Sequence, residues 1–118
     1  MPKPKVLVVT GCRCTFDALR VLLEARFEVE SAINEEVAFG RVLFGEPDVV
    51  VIQMATDERD LQVLACLQGD DRTEGVPKIL IKRITEAMKE DGERVVNLSV
   101  LPEYLAGLIA ESKAVVPA

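Results

Sequence analysis

The residue best placed for chemistry in this sequence is Gln53, which follows the apolar run Val49-Val50-Val51-Ile52. Four consecutive β-branched residues predict a strand that is covered on both faces of a parallel sheet. The carboxyl ends of such strands form the edge at which open α/β sheets bind their ligands. An amide at this point donates and accepts hydrogen bonds, but it has no charge to hold a divalent cation and is a poor nucleophile. The sequence therefore predicts a ligand edge without metal-dependent chemistry at its centre.

A second chemical pattern is Cys14 followed six residues later by Arg20, the C-x5-R spacing of cysteine phosphatases. In such enzymes a thiolate attacks phosphorus while loop amides and the arginine hold the oxygens. Phe16 and Leu19 fall at the spacing of an amphipathic helix, which does not offer a loop of converging amides. We retain the cysteine phosphatase as a remote alternative.

The cysteines also raise the question of a metal or redox site. Cys12 and Cys14 are separated by one residue, and Cys66 is distant. Zinc sites take four ligands, and the chain has no histidine to complete a set. An odd number of cysteines without a secretion signal favours reduced thiols. We therefore expect no metal and no cofactor.

Composition narrows the function classes further. The chain has 118 residues and a formal net charge of −6, with no cluster of Lys or Arg interleaved with aromatic residues. Direct nucleic-acid binding is therefore not expected. Every apolar run ends well before the roughly 20 residues of a membrane span, and residues 1–5 do not resemble a secretory signal. We expect one cytoplasmic domain over residues 1–118, with its core at about 5–112, and no enzymatic activity because the commonest general base, histidine, is absent.

The alternation of short apolar runs with helical spacing predicts an α/β domain. The predicted strands cover residues 6–9, 27–30, 47–53, 77–81 and 94–100, with Asn34 capping the second helix, a short helix at 85–89 and a last helix from Pro102. The third helix presents a stripe of Leu61, Leu64 and Leu67, and the last one a stripe of Leu101, Tyr104, Leu105, Leu108 and Ile109. These units predict a flavodoxin-like, doubly wound, five-stranded parallel sheet of order 2-1-3-4-5, with helices on both faces.

Six framework segments between Lys5 and Glu111 have a characteristic order and spacing: Lys5-Val6-Leu7-Val8-Val9, Leu22-Leu23-Glu24, Phe27-Glu28-Val29-Glu30, Pro47-Asp48-Val49-Val50-Val51-Ile52, Val76-Pro77-Lys78-Ile79-Leu80-Ile81 and Pro102-Glu103-Tyr104-Leu105. In these segments the chain resembles the receiver domains of bacterial response regulators. The resemblance implies a receiver-like fold and a role in two-component signalling.

The chemistry of the family is missing from the matching positions. Thr10 and Gly11 stand where receivers carry the acidic pair that helps to hold magnesium, and Gln53 stands at the phosphoacceptor position. Lys82 replaces the switch hydroxyl residue, and Leu98 falls where the family has its lysine. The resemblance therefore implies a degenerate pseudo-receiver that is not phosphorylated. We expect Gln53 and Thr10 to hydrogen-bond each other or the backbone.

Two sets of charged residues near this edge have alternative interpretations. Asp57, Glu58 and Asp60 follow the third strand and are candidates to replace the lost acids, but a charged loop is more often solvated. Lys82 is placed to reach the cation pocket from the neighbouring strand, although a lysine at a strand end usually extends into water.

The favoured function is a protein-protein interaction module that binds another signalling protein or domain; a homodimer is also open. The resemblance suggests a partner surface of Glu86, Met88, Lys89, Asn97, Glu103, Tyr104 and Leu108. The apolar second helix from Val37 to Phe44 indicates a second candidate surface, unless it is simply well covered. The alternative function is a module that binds a small anion or ligand at the sheet edge through Lys82 and Arg83.

Overall fold

A six-stranded sheet forms the centre of the described part of the chain. The computed structural model describes residues 3–54, 56–73, 75–83, 86–89, 94–95 and 101–114. The strands are β1 (Lys5–Val9), β2 (Glu28–Ala32), β3 (Val49–Ile52), β4 (Lys78–Arg83), β5 (Glu86–Lys89) and β6 (Arg94–Val95), and the helices are α1 (Arg13–Leu23), α2 (Glu35–Gly45), α3 (Asp57–Gln68) and α4 (Leu101–Ala114). The order across the sheet is β2-β1-β3-β4-β5-β6. No helix in these ranges is both long and apolar enough to cross a membrane.

The first four strands are parallel and confirm the predicted order 2-1-3-4. Val8 of β1 is paired with Val51 of β3, which in turn is paired with Ile79 of β4. Because successive side chains of a strand point to opposite faces, the sheet separates two apolar layers. One layer joins Val8 and Val51 to α1 and α4, and the other joins Val50 and its neighbours to α2 and α3.

The region after β4 differs from the prediction. The expected short helix at 85–89 is wrong, because Glu86–Lys89 forms β5, which runs antiparallel to β4 with Ala87 opposite Ile81. Residues 84 and 85 alone connect these strands, and a parallel crossover needs a dozen or more residues. A strand beside β4 with so short a connection must therefore run antiparallel. The pairing overrides the helix preference of Glu, Ala, Met and Lys.

The predicted fifth parallel strand at 94–100 is represented only by Arg94–Val95, which is β6 and runs antiparallel to β5. Residues 96–100, including Asn97 and Leu98, lie outside the described residues. The place beside β4 that this strand was expected to fill belongs to β5.

Two helices that border the sheet edge begin with side-chain caps. The Asn34 side chain accepts a hydrogen bond from the Val37 N–H at 2.9 Å, which confirms the predicted cap of α2. Thr56 caps α3 by accepting from the Arg59 N–H at 3.2 Å. These bonds satisfy amides that the first turn leaves without helical partners. Both helices are thereby fixed close to the strands that they follow.

The helix stripes are partly as predicted. In α4, Leu101 and Leu105 are fully buried and Leu108 and Ile109 are nearly so, which confirms its apolar stripe. In α3, however, Leu61 is 57% exposed. Leu64 and Leu67 are buried as predicted. Asp60 and Val63 complete the buried i, i+3, i+4, i+7 stripe, from which Leu61 is excluded.

Candidate functional site

The carboxyl ends of β1 and β3 meet at one edge, where Thr10 and Gln53 are neighbours. The Gln53 N–H donates to the Val9 carbonyl and the Thr10 N–H donates to the Ala32 carbonyl, each at 2.9 Å. These backbone bonds extend the parallel ladder one residue beyond the strands. They fix both side chains at the position where such sheets bind ligands.

The two side chains interact directly. The Thr10 hydroxyl donates to Oε1 of Gln53 at 3.5 Å, and it also accepts from the Cys12 N–H at 3.2 Å. Thr10 is buried and Gln53 is partly exposed. The expected hydrogen bond between Thr10 and Gln53 is confirmed. It links the ends of β1 and β3 by a neutral contact.

A cavity of about 420 Å³ opens above this pair. It is lined by Thr10, Gly11, Cys12, Thr15, Ile33, Gln53, Met54 and Arg59. None of these eight residues carries a carboxylate, and Arg59 is the one with a full positive charge. Arg59 also lies 3.5 Å from the Glu35 carboxylate across α2 and α3. The lining is therefore largely apolar, with hydroxyl and amide groups and one guanidinium, and it offers no carboxylate to hold a metal cation.

Asp60 is adjacent in the sequence to Arg59, which lines this cavity, and its carboxylate is used inside the protein. It is 4% exposed, and its Oδ1 accepts a hydrogen bond from the Met54 N–H at 2.5 Å. The interpretation of Asp60 as a solvated loop residue is therefore wrong. The carboxylate fixes the segment between β3 and α3, and it does not line the cavity. Its spacing to Val63, Leu64 and Leu67 was the signal in the sequence that it faces inward.

The other two acids of that segment do not complete a metal site in the described structure. Glu58 is exposed, and the side chain of Asp57 lies outside the described part. No group of three or more His, Cys, Asp or Glu residues able to hold a metal occurs among the described residues.

The amino end of α1 also borders the cavity. The helix starts after Cys12 without a side-chain cap, and its first turn carries no acidic residue. Hydrogen bonding from the Thr15 side chain, and then from the backbone of Thr15 and Cys14, lowers the pKa of the exposed Cys12 thiol. The lowered pKa favours the thiolate form of Cys12, which lines the cavity.

Cys14 and Arg20 do not form a phosphate-binding loop. Both lie within α1, where the backbone amides from Phe16 onwards donate to helical carbonyls, and the Arg20 guanidinium contacts Glu24 at 3.2 Å. The geometry required by the C-x5-R alternative, a loop of amides around an anion, is absent from this described segment.

The remaining predicted edge residue is Lys82, whose backbone lies in β4. Because Leu80 is paired with Ile52 of β3, Lys82 lies two residues further along, at the same edge as Gln53. The side chains of Lys82 and Arg83 are outside the described part, as is the whole of Leu98.

The residues predicted to form the partner surface, apart from Asn97, lie on β5 and α4, and some of them are at least partly buried. Glu86, Met88 and Lys89 lie on strand β5 instead of a helix, with side chains outside the described part. Three further residues belong to α4: Glu103 is exposed, Tyr104 packs partly buried against the core, and Leu108 is 9% exposed. Burial removes Leu108 from this surface. Glu103 is the described residue whose side chain is available there.

A second concavity of about 420 Å³ lies between α2 and β2. It is lined by Glu30, Val37, Gly40, Arg41, Phe44 and Gly45, and we call it the α2 groove. Phe44 is 88% exposed beside it. The apolar second helix is therefore not fully covered by the rest of the described structure.

Comparisons with known proteins support the fold. No protein-family model matches the sequence, and no curated protein matches it either. Solved structures do match: the signal receiver domain of a signal transduction histidine kinase from Syntrophus aciditrophicus has a TM-score of 0.75 and 17% identity, over 98% of this chain and 96% of that one.

Two shorter matches are of the same kind. The N-terminal domain of a response regulator receiver protein from Methanoculleus marisnigri has a TM-score of 0.61 and 19% identity, over 66% of this chain and 65% of that one. The chemotaxis response regulator CheY4 of Vibrio cholerae has a TM-score of 0.59 and 17% identity, over 67% of this chain and 68% of that one. The chain therefore has a receiver-like α/β fold.

Proposed function

We propose that this chain is a pseudo-receiver: a single cytoplasmic signalling domain that works without phosphorylation, has no catalytic activity of its own and acts by binding another signalling protein. The similarity to receiver structures supports the signalling role. The neutral Thr10–Gln53 contact at the edge supports the loss of phosphorylation.

Phosphoryl transfer to a receiver requires a nucleophile and a cation that neutralises the charge on phosphorus. Gln53 provides no nucleophilic carboxylate, and Thr10 provides no anionic oxygen for Mg²⁺, which prefers carboxylates. Asp60 does not compensate, because its Oδ1 is held by the Met54 N–H. The described edge thus lacks both chemical requirements.

The direct test uses small phosphodonors. Acetyl phosphate with Mg²⁺, or beryllofluoride with Mg²⁺, should leave the backbone NMR resonances of residues 9–12 and 52–54 unchanged and give no phosphoryl adduct by intact mass. An ordinary receiver treated in parallel is the positive control. A stoichiometric adduct, or Mg²⁺-dependent shifts confined to this edge, would disprove phosphorylation independence.

The partner surface is proposed at α4 and the neighbouring β5. Glu103→Arg reverses an exposed charge and should weaken capture of a signalling partner from the source cell, while stability changes by less than about 0.5 kcal/mol. The matched control is Glu58→Arg, an exposed glutamate on α3 at the other face of the sheet. Equal capture by both variants would remove α4 from the interface.

A second candidate function, a small-anion binding module, is favoured by one observation. The cavity at the edge is lined by Arg59 and by the uncapped amino end of α1. Inorganic phosphate or sulfate should then raise the melting temperature of the native protein but not that of Arg59→Gln. No shift with either anion up to millimolar concentrations would rule out this candidate.

A further inference from the structure

Helix α2 carries apolar residues on both its inner and its outer faces. Ala38 and Val42 are buried against the sheet, whereas Val37 and Phe44 are exposed. Val37, Gly40 and Phe44 are spaced i, i+3, i+7 and therefore share the outward face. A surface helix normally places polar residues there. Nothing in the described part of the chain covers this apolar outer face.

The outward face combines a projection with a hollow. Phe44 is 88% exposed. One turn before it is Gly40, where a Cβ atom would meet nothing within 4 Å. The α2 groove opens at this glycine with a volume of about 420 Å³. The phenyl ring of Phe44 and a hollow beside Val37 and Gly40 therefore lie one helical turn apart, about 6 Å along the helix axis.

We propose that the occupant of the α2 groove is a second copy of this chain, in a two-fold dimer of antiparallel α2 helices. Phe44 of each copy enters the hollow over Gly40 of the other. A two-fold interface uses the same patch on both subunits and must be self-complementary. The two-fold rotation places Phe44 of each copy over Gly40 of the other, so the patch is complementary to itself.

The charges that line the groove are also self-complementary. Glu30 on β2 and Arg41 on α2 both border the hollow, and Arg41 makes no ion pair within the described part of one chain. A two-fold axis that crosses antiparallel helices keeps the β2 sides of both copies on the same side. Arg41 of one copy is thereby brought towards Glu30 of the other, twice per dimer. Partial desolvation at the interface strengthens such pairs.

Pairing of the β2 edges is the competing way to join two copies, because β2 is an outer strand of the sheet. Its sequence carries Glu28 and Glu30 on an outer strand, and acidic side chains on an edge oppose addition of the same strand. The helical groove has both charge signs. Self-association through α2 is therefore favoured over strand addition.

The first experiment is sedimentation equilibrium of the full chain from 1 to 500 µM, with three proteins. The native protein should dimerise and Phe44→Glu should remain monomeric, with at least a 30-fold weaker association. Val21→Glu is the matched control, because Val21 is 66% exposed on α1 at the opposite face of the sheet. It should dimerise like the native protein. A native protein that stays monomeric throughout the range, or a Phe44→Glu variant that dimerises normally, would overturn the proposal.

The second experiment tests the geometry by charge exchange. Arg41→Glu and Glu30→Arg should each weaken self-association at least tenfold, because each creates two like-charge contacts. An equimolar mixture of the two variants restores both opposite-charge contacts and should form a heterodimer. Failure of the mixture to associate would overturn the antiparallel arrangement even if Phe44 lies in the interface. This proposal does not rest on the phosphorylation independence above, and phosphodonors take no part in its tests.

Discussion

Rebuilding the acidic edge should show why one substitution does not restore a receiver. Gln53→Asp alone places a carboxylate, on a side chain one methylene shorter, beside the Thr10 hydroxyl, which is now 3.5 Å from the Gln53 oxygen. This neighbour is a good hydrogen-bond donor and a poor partner for Mg²⁺. We therefore expect the single variant to fold normally and to take up no phosphoryl group from acetyl phosphate with Mg²⁺.

The double variant Thr10→Asp/Gln53→Asp should behave differently. It puts two carboxylates at about the present oxygen separation of 3.5 Å. At about 4 Å and an effective dielectric constant of about 20, their repulsion is about 4 kcal/mol. For a domain of this size about 1 kcal/mol changes the melting temperature by about 4 °C, so the double variant should melt about 15 °C lower without metal. Mg²⁺ held between the carboxylates should recover much of this loss.

The pH dependence of the double variant provides an independent measurement. Mutual repulsion raises the folded-state pKa of one carboxyl above the unfolded value of about 3.9. The destabilisation is therefore absent below about pH 4, where the carboxyl is protonated in both states. It grows as the pH rises through the raised folded pKa.

The assays are thermal unfolding between pH 3 and 8, with and without 10 mM MgCl₂, and intact mass after treatment with acetyl phosphate. Thr10→Asn/Gln53→Asn is the matched control, because it has nearly the same shape as the double aspartate variant but no charge. Phosphorylation of Gln53→Asp at the rate of an ordinary receiver would refute the reasoning. A control variant that melts as low as the double aspartate would show that shape, and not charge, causes the loss.

Three further predictions concern a buried carboxylate, an ion pair and two cysteine thiols. Asp60→Asn should lower the free energy of unfolding by about 1–3 kcal/mol in urea denaturation, because a buried charge-assisted bond is weakened; a loss below about 0.5 kcal/mol would contradict its structural role. The Arg72 guanidinium lowers the pKa of Asp70 to about 2. Any stabilisation from this pair is therefore complete above about pH 4 and is lost as the pH falls through about 2. NMR titration of the Asp70 carboxyl should find a midpoint at about 2 in the native protein and a midpoint nearer 3.8 in Arg72→Gln. The lowered pKa of Cys12 and the pKa of Cys66, raised by burial, should make iodoacetamide label Cys12 faster at pH 7.5; the reverse order in peptide mass mapping would contradict this.

The sequence predicts the parallel half of the sheet well because local and long-range preferences agree there. Val49–Ile52 is β-branched, lies between Pro47 and a polar segment, and is buried on both faces. The edge residue that follows such a strand can then be identified by position alone. The contact between Thr10 and Gln53 follows from the adjacency of β1 and β3, which the right-handed crossover rule already implies.

The features that the sequence did not predict have separate physical causes. Glu86–Lys89 consists of good helix formers but forms a strand, because the short connection to β4 allows it to pair antiparallel with that strand. Local helix propensity contains no information about this pairing. Asp60 was assigned to solvent by residue type, although its place in the buried stripe of α3 allowed the opposite prediction. Helix α2 has apolar residues on all sides, so its pattern does not reveal which face lies outward. Only packing against β1 and β2 shows that Phe44 does.

The two proposals together imply how such a domain is controlled. A ligand or modification shifts a conformational equilibrium only by its differential affinity for the two states. Under the proposed loss of phosphorylation, the neutral contact between Thr10 and Gln53 provides no such difference. Association through the α2 groove depends instead on the concentration of the chain, by mass action. If both proposals hold, the amount of protein in the cell, rather than a phosphorylation signal, sets the fraction of the domain that is dimeric.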